Sequence, residues 1–156
     1  MKKNIEKEFG IVPIEIKRLN GYENINYLLK TQTESFIFKT YPLSESNFAL
    51  IDAESKALLY LQKDPNSRTP LPIPFKDGSY TKNIKIANQL VTCRLLSFLE
   101  GEFMGDAKVS GKMASSLGSF LAHLNVSLFK FENHVIRSRK CEWDIQQLAL
   151  NRKYIK

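Results

Sequence analysis

Cysteine and histidine are scarce in this sequence of 156 residues, which contains two of each. Cys93 and Cys141 belong to no CxxC pair, and neither has a histidine at the spacing of metal ligands. Disulfide frameworks and zinc sites need more of these residues at closer spacing. The sequence therefore gives no support to a disulfide-stabilised secreted protein or to metal-dependent hydrolysis. We expect a protein of the reducing cytoplasm.

Long apolar runs are also missing. The most apolar stretch, residues 89–99, is interrupted by Arg94, and a membrane span needs about 18 apolar residues in a row. The N-terminus is basic, but no apolar segment follows it as in a signal peptide. Because 43% of the residues are hydrophobic, the chain can bury one globular core without disulfides or metals. We therefore expect a soluble protein with no membrane partner.

Acidic residues are outnumbered by basic ones, 16 against 23, which gives a formal charge of +7. Much of the excess lies near the two ends, at Lys2, Lys3, Lys7, Arg137, Arg139, Lys140, Arg152, Lys153 and Lys156. A basic surface raises nucleic acid or phosphate ligands as partners. The aromatic residues that interleave with basic ones in RNA- and single-strand-binding surfaces are missing. A solvated surface is favoured, and a basic nucleic-acid-binding domain is kept as the least favoured alternative.

The first half of the chain has the pattern of an antiparallel sheet with one helix. Alternation in residues 14–17, 25–29 and 35–41 predicts three short strands. A helical apolar face over residues 46–63, with Ser44 or Ser46 as N-cap, predicts a helix.

Further strand signals follow that helix. Asp77-Gly78 predicts a hairpin between residues 73–75 and 79–86, and residues 87–98 form one more strand.

The pattern changes beyond residue 98. Residues 99–105 are predicted to be a hinge or linker, and residues 106–156 are predicted to be helical. One apolar stripe is formed by Met113, Leu117, Phe120, Leu121, Leu124 and Leu128. A last amphipathic segment opens near Trp143 and reaches Lys156 without a stop signal. The organisation is therefore α+β, with a sheet-containing part over residues 1–98 followed by helices.

Lys39 and Glu54, two residues of opposite charge in the first part, are candidates for a phosphate-binding ion pair. If the helix packs across the sheet, Glu54 can hold the Lys39 ammonium where nucleotide phosphates sit, which is the ion pair that phosphoryl transfer uses. We expect their charged ends to lie within about 4 Å of each other, unless the helix swings outward without a ligand. Each residue alone is more simply explained as a surface charge.

Two other segments complete the candidate site. Residues 21–26 form the first turn, whose backbone amides can cover phosphates, although Gly21 is their only glycine. An ordinary hairpin turn, with Asn24 or Asn26 suited to positive φ, is the simpler explanation of that segment alone. Residues 94–101 leave the sheet toward the linker, where a flat adenine ring can pair with the backbone. A plain core strand with its exit turn explains the same residue types.

These motifs, in this order, resemble those of the aminoglycoside phosphotransferase and choline kinase-like family, especially its hydroxylysine and homoserine kinase-like branch. The similarity runs through residues 21–28, 36–39, 53–54, 94–101, 117–122 and 143–144. It implies a protein-kinase-like N-lobe, with a five-stranded antiparallel sheet and one helix, followed by helices of an incomplete C-lobe.

The resemblance also assigns roles to residues. Lys39 would contact the α- and β-phosphates of ATP, and Glu54 would orient it. The backbone of Ser97 and Leu99 would bind adenine. The phosphate-covering loop would comprise Gly21, Tyr22, Asn24 and Asn26.

The family's catalytic His-Gly-Asp and metal-binding Asp-x-Asp occur nowhere in this sequence. We therefore expect the front half of a longer ATP- and Mg-dependent kinase, with a small acceptor bearing hydroxyl and amine groups. No catalytic base or metal ligand is assigned in this chain, which alone is expected to be inactive and to self-associate through its exposed C-lobe helices. The alternative is a non-catalytic nucleotide-binding or regulatory module. A reading frame that continues into the missing motifs distinguishes the two.

Overall fold

The fold was analysed in a computed structural model that describes residues 1–21, 24–141 and 144–154, without the side chain of Lys153. The helices are α1 (Lys2–Phe9), α2 (Glu45–Leu61), α3 (Gly111–Leu128) and α4 (His134–Arg137), followed by a 3₁₀ segment at Ile145–Tyr154. The strands are β1 (Glu15–Leu19), β2 (Ile25–Lys30), β3 (Ser35–Pro42), β4 (Pro72–Ile73), β5 (Lys82–Ile86) and β6 (Gln89–Ser97).

All described strand pairs are antiparallel and belong to one sheet. The sheet order is β1-β2-β3-β6-β4, and β5 pairs with the other end of the β6 edge. This confirms the expected fold class, α+β with an antiparallel sheet and helices after it. The sheet has six strands because the two-residue strand Pro72–Ile73 adds to the expected five.

The first face of the sheet is apolar and is covered by α1. Phe38 on β3 lies opposite Leu95 on β6, and both are fully buried. Ile5 of α1 belongs to the same buried cluster. The sequence analysis did not predict α1, whose signals are Ile5 and Phe9 one turn apart and Gly10 as a left-handed C-cap.

The second face carries charged residues and is approached by α2. Ser44 is the N-cap, and its hydroxyl accepts a hydrogen bond from the Asn47 N–H at 3.0 Å. Ile51 and Leu61 are buried, while Glu54 reaches down to Arg94 on β6. The predicted helix is confirmed, and it begins and ends slightly earlier than expected.

The predicted turn at Asp77-Gly78 forms, and the Gly78 N–H bonds to the Phe75 carbonyl at 2.9 Å. The strands beside it do not pair as the predicted hairpin, because β4 and β5 both pair with β6. The tight hairpin lies instead at Ala87 and Asn88, whose φ values are +46° and +67°. Two successive positive φ values suit the right-handed twist of the strands.

The C-terminal part differs from the expected regular helices. The apolar stripe does lie on a helix, α3, whose N-cap is Ser110. Among the described residues, no helix is long and apolar enough to span a membrane. Beyond α4, the expected amphipathic helix is a 3₁₀ segment interrupted at Gln147, where φ is −113° and ψ is 26°. Trp143, where that helix was predicted to open, lies outside the described residues.

Candidate functional site

The strand register brings Lys39 into a row with two other polar residues. Lys39 lies opposite Asn26 on β2 and opposite Arg94 on β6. Directly opposed residues of neighbouring strands share a face of the sheet. All three side chains therefore belong to the face that α2 approaches. The sheet and the helix thus bring Lys39 and Glu54 to one side of the molecule.

Glu54 forms ion pairs with two arginines. Its Oε2 accepts a hydrogen bond from Arg94 Nη2 at 2.8 Å, and its Oε1 lies 3.6 Å from Arg139 Nη1. No salt bridge joins Lys39 to Glu54 in the described part of the chain, so the expected contact is not formed there. Arg94 takes the carboxylate because a buried guanidinium without an anion is strongly unfavourable, whereas Lys39 is only partly buried.

The Lys39 ammonium has an altered electrostatic environment. Burial lowers the pKa of Lys39, the positive charge of Arg94 lowers it further, and the carboxylate of Glu54 partly offsets both. Glu54 therefore acts on Lys39 through space without a salt bridge. Within residues 1–21, 24–141 and 144–154, no hydrogen bond or ion pair of the Lys39 side chain is found. A half-buried cation without a counter-ion favours an anionic ligand.

Arg94 is the most buried charge of the group, with its side chain only 7% exposed. Its Nε and Nη1 are buried and have no hydrogen-bond partner among the described residues. The guanidinium carbon lies 5.7 Å from the centre of the Tyr41 ring. Burial is the main cause that raises the pKa of Tyr41. The sequence analysis did not assign Arg94 a role, although a charge within an apolar strand was the signal for it.

The first turn is tightly closed. A Cβ added to Gly21 would overlap the carbonyl oxygen of Asn24 and approach Asn26 Nδ2 to 2.9 Å. Only a glycine avoids these collisions with the backbone unchanged. The Oδ1 atoms of Asn24 and Asn26 are buried without a partner in the described structure. The predicted site residue Tyr22 lies outside the described residues.

The predicted adenine edge begins where β6 leaves the sheet. The Ser97 N–H donates to the Leu71 carbonyl, and the Leu71 N–H donates to Ser97 Oγ, both at 2.8 Å. The next N–H, of Phe98, bonds to the Ser35 carbonyl at 3.1 Å. Leu99 is 52% exposed. Since the amide of Ser97 is already bonded, only its carbonyl would remain for a base, together with the backbone of Leu99.

A cleft of about 670 Å³ lies beside the first turn. It is lined by Arg18, Gly21, Asn24, Thr40, Tyr41 and Gln89, among others, but not by Lys39. Arg18 and Thr40 alternate with Lys39 along the strand register, so they project from the opposite face of the sheet. Tyr41 shares the Lys39 face, and Gly21 and Asn24 belong to the first turn. The cleft therefore opens at the end of the sheet beside the turn, and Lys39 itself does not line it.

Comparison with known proteins identifies the class of protein. Residues 15–151 match the model of the phosphotransferase enzyme family. This match covers most of the chain, and the chain therefore belongs to that family. A search of curated proteins found no match.

Solved structures share the fold. An amicoumacin kinase in complex with AMP-PNP, Ca²⁺ and amicoumacin has a TM-score of 0.74 and 18% identity, over 99% of this chain and 46% of that one. A spectinomycin phosphotransferase in complex with ADP and spectinomycin has a TM-score of 0.68 and 11% identity, over 98% of this chain and 44% of that one. A microcompartment-associated aminopropanol kinase has a TM-score of 0.63 and 19% identity, over 83% and 40%. The chain thus spans less than half the length of these proteins.

Proposed function

We propose that this chain is the ATP-binding, N-terminal part of a small-molecule phosphotransferase that acts in the cytoplasm. The observation that carries the proposal is the Lys39 ammonium, which is half-buried on the α2 face of the sheet and has no counter-ion among the described residues. Family membership and the nucleotides bound to the similar structures support the same assignment.

The residues present fit a nucleotide. Lys39 would neutralise phosphate charge, and the closed turn with Gly21, Asn24 and Asn26 would cover the phosphates with backbone amides. The Ser97 carbonyl and the backbone of Leu99 would hold the adenine edge. ATP supplies the phosphoryl group in this class of reaction.

Divalent metal binding is proposed for a longer protein and not for this chain. No group of three or more metal-ligating side chains occurs in the parts of the chain that the structure describes. Because the sequence contains no His-Gly-Asp or Asp-x-Asp motif, we expect residues 1–156 alone to show no turnover. The acceptor, a small molecule with hydroxyl and amine groups, is a proposal from family resemblance.

The division into a nucleotide-binding lobe (1–98), a hinge (99–105) and the first helices of a second lobe (106–156) is part of the same proposal. Several apolar side chains of α3 are partly exposed, including Met113, Leu117 and Leu121. We expect them to cause self-association when the chain is concentrated.

Titration calorimetry with ADP and with adenosine tests the proposal. We expect ADP to bind with micromolar or weaker affinity, about −8 kcal/mol at most. The substitution Lys39→Met should weaken ADP binding by roughly tenfold or more and leave adenosine binding unchanged, because only ADP carries phosphates.

Lys56→Met is the matched control, since Lys56 is an exposed lysine on α2 that pairs with Asp52 at 2.7 Å. It should bind both ligands as the wild type does. The proposal is wrong if the wild-type chain does not bind ADP, or if Lys39→Met and Lys56→Met weaken ADP binding equally.

A further inference from the structure

Asn26 lies directly opposite Lys39 on the neighbouring strand β2. Directly opposed residues share a face of the sheet, and their Cβ atoms are about 4.5–5.5 Å apart. Lysine carries its ammonium on a long, flexible stem. The Lys39 ammonium can therefore reach the Asn26 side chain by rotation about its own side-chain bonds, without movement of either strand.

The two ends of the Asn26 amide have different environments. Its Nδ2 donates to the Asn20 carbonyl, beside the first turn, at 3.5 Å. Its Oδ1 is buried and has no hydrogen-bond partner among the described residues. Buried polar atoms are normally paired in proteins. A hydrogen-bond acceptor without a partner therefore belongs to the residue directly opposite Lys39.

The Lys39 ammonium is the complementary group. It is half-buried and has no hydrogen bond or ion pair in the described structure. Arg94, which lies opposite Lys39 on β6, is a second cation and cannot accept a hydrogen bond. Asn26 is thus the neighbour in this strand row that offers an acceptor. Because a lysine ammonium has several donors, a bond to Asn26 leaves others for a phosphate and for Glu54.

We propose that Asn26 is a positioning residue of Lys39, whose amide oxygen accepts a hydrogen bond from the ammonium and holds it at the phosphate site. The proposal rests on the function proposed above. Asn26 acts through Lys39, and this role of its side chain is additional to that of the backbone amides of the first turn. Since the same amide contacts Asn20, one side chain links Lys39 to the turn that covers the phosphates.

Titration of the full chain with ADP and with adenosine tests the effect on binding. Asn26→Leu and Asn26→Ala should each weaken ADP binding roughly three- to tenfold, because a hydrogen bond to a charged group is lost. Adenosine binding should not change.

Asn83→Leu is the matched control, because Asn83 is a strand asparagine on β5 whose Oδ1 accepts a hydrogen bond from Thr92 at 2.8 Å. This variant should bind both ligands as the wild type does. The proposal is overturned if Asn26→Leu and Asn83→Leu weaken ADP binding equally.

The pKa of Lys39, followed by NMR of its side chain in the ligand-free chain, distinguishes positioning from a merely structural role. A hydrogen bond to the ammonium favours its charged form, so the loss of Oδ1 should lower this pKa. Leucine at position 26 reduces the access of water to Lys39, whereas alanine increases it. A lower pKa in both variants therefore identifies the lost oxygen as the cause. An unchanged or raised pKa in Asn26→Ala refutes the positioning role, and Asn83→Leu should leave the pKa unchanged.

The positioning role and the proposed function fail in different ways. If both Asn26 variants lower the pKa of Lys39 while the wild-type chain does not bind ADP, the proposed function is wrong and the positioning role stands. If Lys39→Met weakens ADP binding while both Asn26 variants bind ADP as the wild type does, the proposed function stands and the positioning role is wrong.

Discussion

Glu54 on α2 and the buried Arg94 on β6 form an ion pair, with 2.8 Å between the carboxylate oxygen and the guanidinium nitrogen. The contact joins the middle of α2 to β6, the strand next to β3 in the sheet. The sequence analysis predicted Lys39 as the partner of Glu54. Lys39 lies on β3, directly opposite Arg94 on β6, and has no ion pair in the described structure. The ion pair thus holds α2 against β6.

Core packing is tested by Phe38→Ala. Phe38 is fully buried between α1 and the sheet, so its truncation should lower the free energy of unfolding by about 3–5 kcal/mol. Phe103→Ala is the control, because Phe103 is 82% exposed, and it should change stability by less than about 0.5 kcal/mol. Urea denaturation of both variants measures the difference. Similar losses in the two would contradict the assigned core.

The closure of the first turn is tested by Gly21→Ala. Its added Cβ meets the Asn24 carbonyl, so the turn must shift, with a loss of about 1–3 kcal/mol in stability and weaker ADP binding. Gly118→Ala is the matched control, because no atom lies within 4 Å of a Cβ there and Gly118 is inside α3. It should stabilise the chain by about 1 kcal/mol. An unchanged or stabilised Gly21→Ala would show that the turn is open.

The contact of Asp64, in the segment after α2, with α3 should make the stability of the fold depend on pH. The pKa of Asp64 is lowered, first by the Asn66 N–H and also by His123 and Ser127 on α3. A lowered carboxyl pKa stabilises the fold above the unfolded value of about 4, and this stabilisation is lost as the pH falls through the folded pKa.

Asp64→Asn should therefore be less stable than the wild type at pH 7, and the difference should disappear as the pH falls well below about 4. Urea midpoints over a pH series measure it. Asp52→Asn is the control, since Asp52 forms an exposed pair with Lys56 within α2 and should show only a small difference. A constant difference between Asp64→Asn and the wild type at all pH values would contradict this account.

Local patterns predicted β1 to β3, α2 and α3, because alternation, helical spacing and serine N-caps are all properties of neighbouring residues. They missed α1, whose short and lysine-rich sequence shows only Ile5 and Phe9 as an apolar pair. The partner of Glu54 was not predictable in this way. Lys39 and Arg94 lie opposite each other on the face that α2 approaches, and their difference in burial arises only when α2 packs on the sheet.

The central claim concerns where ADP binds, and an amide map recorded by NMR during ADP titration tests it most directly. We expect shifts at Asn24, Asn26, Lys39 and Leu99, and little change in α1 on the opposite face. Adenosine should shift Leu99 without shifting Lys39. Shifts confined to Arg18, Thr40 and Gln89, which line the side of the cleft on the opposite face of the sheet, would place the ligand on the wrong face and contradict the account.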